Sequence, residues 1–146
     1  MSPEPTPALI ATLETVPAEE CWELLATAGF GRIGLVLDGR PEVLPVNFAL
    51  DGETVVFRTA EHSALSHAAT AVVCFEADHV DETSHAGWSV MVQGVATDIG
   101  DAIDPTSERI RRLSLLTWAP GDRPVWFRIR PDKVTGRRLR VVADSL

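Results

Sequence analysis

A chain of 146 residues with 45% hydrophobic and 23% charged side chains suits one domain with a buried core and is too apolar to be disordered. Its formal net charge of −8 excludes the broad basic face that nucleic acid or an anionic membrane needs, so an anionic ligand would require a local positive pocket. Two cysteines, Cys21 and Cys74, give neither a disulfide framework nor zinc spacing; they read as reduced thiols of a cytoplasmic protein, with Cys74 in the core of an apolar strand.

Residues 1–14, MSPEPTPALIATLE, are expected to form a flexible arm ahead of one folded unit over 15–146. They lack the basic start and long apolar run of a signal peptide, and no apolar run approaches a membrane span. In PAEECWELLATAGFG, Pro17 suits an early helical position and Glu19 and Glu20 complement the helix dipole. Cys21, Leu24, Leu25 and Ala28 recur at helical spacing, and Gly29 or Gly31 can end the helix. The period then changes to two. GRIGLVL, EVLPVNFAL and ETVVFRT read as an antiparallel meander whose joints, DGRP and DG, carry the Asp-Gly hairpin signal. Pro45 inside the second strand implies an edge or a bulge.

HSALSHAA reads as a short helix and TAVVCFEAD as an apolar strand. After a polar loop, GWSVMVQGVATDIG is another strand, in which Gly94 suggests a bulge or a close backbone approach. DPTSERIRRLSLLTW is expected as a helix capped by Asp104, with Ile110, Leu113 and Leu116 at core spacing and its arginines facing Glu108 and solvent. VWFRIRPDKVTGRRLRVV closes the chain as one or two strands. Five to seven strands with peripheral helices predict an antiparallel sheet closed into a small barrel. No GxGxxG turn or P-loop is present, which excludes a Rossmann or nucleotide-hydrolase reading.

The chemistry concentrates at FRTAEHSALSHA, residues 57–68. Arg58 and Thr59 end a strand and Ser63 opens a helix, an arrangement that offers a guanidinium, hydroxyls and free N–H groups to a phosphate. An ordinary corner with a solvated arginine fits the same letters. Asn47 is either a ligand partner or an outward strand residue. Trp88 and Ser89 are either strand packing or a ligand contact. GRRLR at 136–140 is the densest cationic patch, read as a solvated strand face or as Arg137 or Arg138 reaching a cofactor. His62 and His67 are five apart and lie on different helix faces, so no dedicated metal centre is expected. No Ser-His-Asp or Cys-His arrangement stands out.

The runs PVNFALDGETVVFRTAEHSAL, VVCFEAD, GWSVMVQGVA and WFRIRPDKVTGRRL together resemble the pyridoxamine 5′-phosphate oxidase-like flavin proteins, in particular their small actinobacterial-type members. The resemblance covers about residues 15–143. It implies a six-stranded antiparallel split β-barrel that forms a homodimer, with FMN in clefts between the protomers. The flavin ring would rest along Pro45, Val46 and Asn47. The phosphate would be held at Arg58, Thr59, Ser63 and Ala64, with a polar contact from Trp88 and Ser89 and closure by Gly136, Arg137 and Arg138 of the other protomer. Ala64 departs from the pattern, because relatives place Lys or Arg there; one lost charged hydrogen bond removes on the order of 1.5–3 kcal/mol of binding. The implied function is an FMN-dependent oxidoreductase acting on a small molecule. A deazaflavin-dependent reductase, and a non-catalytic flavin- or haem-binding split barrel with a weakened phosphate site, remain the alternatives. Pyridoxamine phosphate oxidation itself is not expected, since the chain has no tyrosine and few spare arginines near the cleft.

Overall fold

The computed structural model describes residue 3 and residues 9–60 and 70–143. Its elements are β1 (Leu9–Val16), α1 (Ala18–Ala26), β2 (Phe30–Leu37), β3 (Arg40–Leu50), β4 (Val55–Thr59), β5 (Thr70–Val80), β6 (Gly87–Asp98), α2 (Pro105–Ile110) and β7 (Val125–Ala143). The helix expected over HSALSHAA, with Ser63 and Ala64, lies outside the described residues. Asp38 and Gly39 both have positive φ, 50° and 74°. That geometry matches the twist of the strands it joins, and it sets the β2–β3 register from Leu37↔Arg40 to Phe30↔Asn47.

All strand pairs are antiparallel. The order β7-β4-β3-β2-β5-β6 closes on itself because β6 pairs back onto β7 from Gly87↔Leu139 to Asp98↔Phe127. This is the six-stranded barrel that the family resemblance implies. The β2–β5 seam is short, Arg32↔Glu76 to Gly34↔Cys74, and there the barrel is split.

β1 is a seventh strand, where the sequence predicts a loose arm over residues 1–14. It pairs with β7 from Leu9↔Ala143 to Val16↔Gly136. The reason is the length of β7. Its 19 residues outrun β4, whose pairing reaches only Val55↔Ile129 on the same edge, and the bare peptide groups beyond attract another strand. Arg140 adds an ion pair to Glu14 across the seam at 3.0 Å. Every β1 residue before Val16 is exposed, so the strand has no buried face for a periodicity to reveal.

Alternate strand residues fill the barrel, with Ile33, Phe48, Val55, Phe57, Val73, Phe75, Val90, Val92, Phe127 and Ile129 among the buried set. Phe57 stacks on Phe127 at 5.4 Å, and Phe48 meets Phe75 edge-on at 4.7 Å. α1 packs against this core through Cys21, Trp22 and Leu25. Burial, and then the charge of Glu20, push the Cys21 thiol above its ordinary pKa, which keeps it protonated and unreactive. Cys74 is not in the core. It pairs with Gln93 on the outer face, half-buried against Gly34, while its neighbours Val73 and Phe75 point inward.

α2 is also shorter than expected. Asp104 caps it through the Ser107 N–H at 3.0 Å, but the helix stops at Ile110 instead of running to Trp118. Its apolar residues build a second core with Val56, Ile99, Leu115 and Trp126 on the outside of the barrel. Leu115, not Leu116, takes the buried place, and Leu116 is 79% exposed. Arg109 reaches Asp51 at 2.7 Å instead of Glu108. No helix among the described residues is long and apolar enough to cross a membrane.

Gly94 has both properties anticipated for it. The β6–β7 ladder shifts between Gln93 and Gly94, and a Cβ at 94 would collide with the Arg130 carbonyl. Gly94→Ala is expected to lower stability by about 1–3 kcal/mol in urea unfolding, as overpacking does. Gly29→Ala, where a Cβ meets open space, should stay within about 0.5 kcal/mol. Equal midpoints for the two variants would contradict this account of the bulge.

Candidate functional site

β3 pairs with β2 over Arg40–Asn47 and with β4 only over Phe48–Leu50. Among the described residues β4 engages Phe48–Leu50, which leaves Arg40–Asn47 open on that edge. Pro45 sits on this one-sided stretch and is exposed, as a strand proline requires. Val46 and Phe48 point into the core, so Val46 can offer a ligand only its backbone. Asn47 precedes the Phe48↔Phe57 pair on β3 and Arg58 follows it on β4, so alternation sets both side chains next to each other on the outer face. Phe30 pairs with Asn47 and Trp126 with Arg58. A row therefore crosses four strands: Phe30, Asn47, Arg58, Trp126.

A strap formed by residues 111–124 lies over this row and is pinned by it. Arg58 donates from Nε to the Arg123 carbonyl and from Nη1 to the Leu115 carbonyl, each at 3.0 Å. Its guanidinium also lies 5.0 Å from the Trp126 ring centroid. Asn47 donates to the Gly29 carbonyl at 3.3 Å and accepts from the Trp118 N–H at 2.8 Å. The Trp118 ring stacks on Phe30, centroids 5.2 Å apart and planes 7° off parallel, yet Trp118 remains 74% exposed. Arg123 donates to the Pro120 carbonyl at 3.3 Å, while its Nε is buried with no partner among the described residues. Thr59 is buried, and its hydroxyl donates to the Ala60 carbonyl at 3.3 Å.

The structure thus brings Pro45, Val46, Asn47, Arg58 and Thr59 to one end of the barrel. Trp88 lines a cavity of about 430 Å³ with Gly29 and Phe30, at the edge of the row, whereas Ser89 and Arg137 lie elsewhere. Ser89 is flanked by Asp78 on β5 and Arg137 on β7, and Ser89 and Arg137 line a cavity of about 230 Å³ with Leu13, His85 and Trp88. Arg137 is eleven residues further along β7 than Trp126, on the order of 35 Å of extended strand, so one protomer does not close both groups around one small molecule. Arg138 pairs with Glu20 at 2.7 Å and Arg140 with Glu14, whereas Arg137 has no ion-pair partner among the described residues.

Phe30, Trp118, Arg123 and Trp126 were not legible as site residues. The segment WAPGDRP carries only turn signals, and a strap pinned by long-range hydrogen bonds leaves no local pattern. Among the described residues no three His, Cys, Asp or Glu side chains are placed to hold a metal ion.

The outer face between these groups holds an unusual carboxyl. Glu76 and Asp78 alternate outward on β5, and both approach Arg32 at 3.4 Å. Burial, and then the hydrogen bond and charge of Asp78, push the Glu76 pKa from 4.5 up to about 7; Arg32 acts in the opposite direction but is outweighed. Two carboxylates share one half-exposed arginine.

The pyridoxamine 5′-phosphate oxidase family model matches residues 17–138. Uncharacterized protein Rv0080 of Mycobacterium tuberculosis is 33% identical over 135 residues, which cover 87% of this chain and 84% of that protein. The FAD binding protein from Mycobacterium smegmatis has a similar structure, with a TM-score of 0.71 and 38% identity over 86% of this chain and 97% of that one. A conserved protein of unknown function from Corynebacterium diphtheriae follows at a TM-score of 0.66 and 27% identity, covering 86% and 96% of the two chains.

The Glu76 shift has a defined sign. Its folded pKa exceeds the ordinary value, so between pH 4.5 and about 7 the folded state holds a proton that the unfolded state has released. That stabilisation is present below the window and is lost as pH rises through it. From about pH 5 to about pH 8 the melting temperature of the wild type is expected to fall relative to that of Glu76→Gln. Parallel melting profiles for the two proteins would contradict the assignment.

Proposed function

The chain belongs to the pyridoxamine 5′-phosphate oxidase family, and from that premise we propose that it is a homodimeric flavin-dependent oxidoreductase, with FMN as cofactor and a small redox-active molecule as substrate. What supports the reading is the Asn47–Arg58 pair beside the open edge of β3. It sets an amide and a guanidinium where peptide groups are not claimed by a neighbouring strand. The relative from Mycobacterium smegmatis, 38% identical, is an FAD binding protein.

The donor set fits such a group. A flavin supplies hydride and single-electron chemistry, which leaves the protein to bind, orient and shield. Arg58 uses two of its five N–H donors on the strap, so three are left for an anion. Arg123 contributes a buried Nε that lacks an acceptor among the described residues. Pro45 and Val46 would present backbone to the ring and Asn47 its amide. Thr59 and Ser63 would shape the phosphate corner, to which Ala64 adds no charge. Arg137, and Ser89 paired with it, would come from the second protomer, given the distance of Arg137 from Trp126 along β7, while Trp88 would approach from the Phe30 side.

The outer sheet face gives a second copy something to cover. Val36, Val43 and Val72 are 68%, 67% and 75% exposed and line one shallow cavity with Gly34 and Cys74. Clustered apolar side chains at that exposure mark an interaction surface. Pyridoxamine phosphate is not the substrate proposed. The chain has no tyrosine, and Arg32, Arg109, Arg128, Arg138 and Arg140 are committed to ion pairs.

Titration of the purified protein with FMN, FAD, a deazaflavin and haem, followed by absorbance and flavin fluorescence, tests the reading. Saturable binding of FMN or FAD to a dimer, seen by analytical ultracentrifugation, is expected. Arg58→Ala should weaken FMN by about tenfold to a hundredfold. A protein that binds only the deazaflavin or haem, binds none of the four, or binds FMN as a monomer would contradict it.

A further inference from the structure

We propose that the cavity at the split of the barrel, between β2 and β5, binds a small organic cation, with Asp78 as its counter-charge and Trp88 as its aromatic wall. No flavin is needed for this, so the site stands apart from the reading above.

The cavity follows from the topology. β2 and β5 pair only from Gly34↔Cys74 to Arg32↔Glu76. Past that last rung β2 runs on to Phe30 beside β3, while β5 runs on to Val80 beside β6. The two strands part. A cavity of about 430 Å³ opens there, lined by Thr27, Gly29 and Phe30 from the β2 end and by Asp78, His79 and Trp88 from β5 and β6. That volume suits one small ring.

The walls select the charge. Asp78 is the one carboxylate among the described residues that line the cavity, and no lysine or arginine does. Trp88 pairs with His79, which sets indole and imidazole on the same side of the sheet. An aromatic face beside a carboxylate favours a cation. Phe30 is already engaged, stacked on Trp118 and 5.8 Å from the Arg32 guanidinium. Trp88 is half-buried and has no ring or cation partner among the described residues.

The seam beneath is short of positive charge. Arg32 alone serves Glu76 and Asp78, at 3.4 Å from each. The other groups around Glu76 are Ser89 and Met91 on β6 and Thr135 and Arg137 on β7. Burial first, and then Asp78, raise the Glu76 pKa to about 7, so Glu76 meets the deficit by keeping a proton. Once that proton leaves, two carboxylates face one guanidinium. An ammonium beside Asp78 supplies the missing charge, which a neutral or anionic ligand does not.

Calorimetric titrations at about pH 8 and low salt with benzylamine, benzyl alcohol and benzoate test this, because the three share a ring and differ in charge. Benzylamine is expected to bind saturably, about tenfold tighter than benzyl alcohol, with no binding of benzoate. Asp78→Asn should weaken benzylamine about tenfold and leave benzyl alcohol within about twofold. Trp88→Leu, which keeps an apolar wall, should weaken benzylamine about threefold to tenfold. Glu76→Gln, which removes the surplus charge without altering the cavity wall, should weaken it about threefold. Thermal unfolding of each variant reports whether the barrel still packs. No saturable binding of benzylamine, equal affinity for benzylamine and benzyl alcohol, or an affinity unchanged in Asp78→Asn or in Glu76→Gln overturns the inference. Each of these results leaves the flavin reading standing, since none of the probes is a flavin.

Discussion

One guanidinium anchors both ends of the strap. Arg58 holds the carbonyls of Leu115 and Arg123, eight residues apart, while its plane lies over Trp126. A planar fork with donors at fixed angles can do this, whereas an ammonium presents one compact charge and cannot span two such acceptors with the same geometry. The consequences run outward. Trp118 is set against Phe30 and Asn47, Leu115 is driven into the outer core, and Arg123 is carried to the end of β4. Arg58 is therefore a structural clamp first. Any role toward an anion uses the donors that remain.

This arrangement explains which parts of the fold were legible in the sequence. β2 to β6 could be read because alternation, Asp-Gly joints and β-branched residues all indicate the same pairing, and Gly94 and Pro45 mark where a ladder bends or lacks a neighbour. β1 could not, because its partner is the overhang of a strand more than a hundred residues later and nearly all its side chains face solvent. The expected long helix after Asp104 failed for a related reason. Its local pattern favours helix, but hydrogen bonds from Arg58 and Asn47, on β4 and β3, pull residues 115–123 into an extended strap. Tertiary contacts outweighed propensity there. The site was half legible. Asn47 and Arg58 are unusual polar letters in apolar strands, whereas Trp118 and Arg123 matter only once the strap is folded.

Charge is used sparingly across the molecule. Five arginines are paired: Arg109 and Arg128 with Asp51, Arg138 with Glu20, Arg140 with Glu14, Arg32 with Glu76 and Asp78. Arg58 and Arg137, at the strap and on the far part of β7, are among the arginines with no carboxylate partner among the described residues. The Arg58 guanidinium holds the strap through its backbone, and Arg137 lines a cavity on the far part of β7. A dimer that brings the far end of one β7 to the strap of another would set Arg137 of one protomer and Arg58 of its partner around one anion. This is the geometric content of the proposal that the site is shared.

A crystal structure of the protein saturated with FMN tests that central claim most directly. The account expects the phosphate within hydrogen-bonding distance of Arg58 beside an intact strap, the ring along the open edge of β3, and Ser89 or Arg137 of a second protomer against the same molecule. A flavin bound away from Arg58, or bound wholly within one protomer, would contradict it.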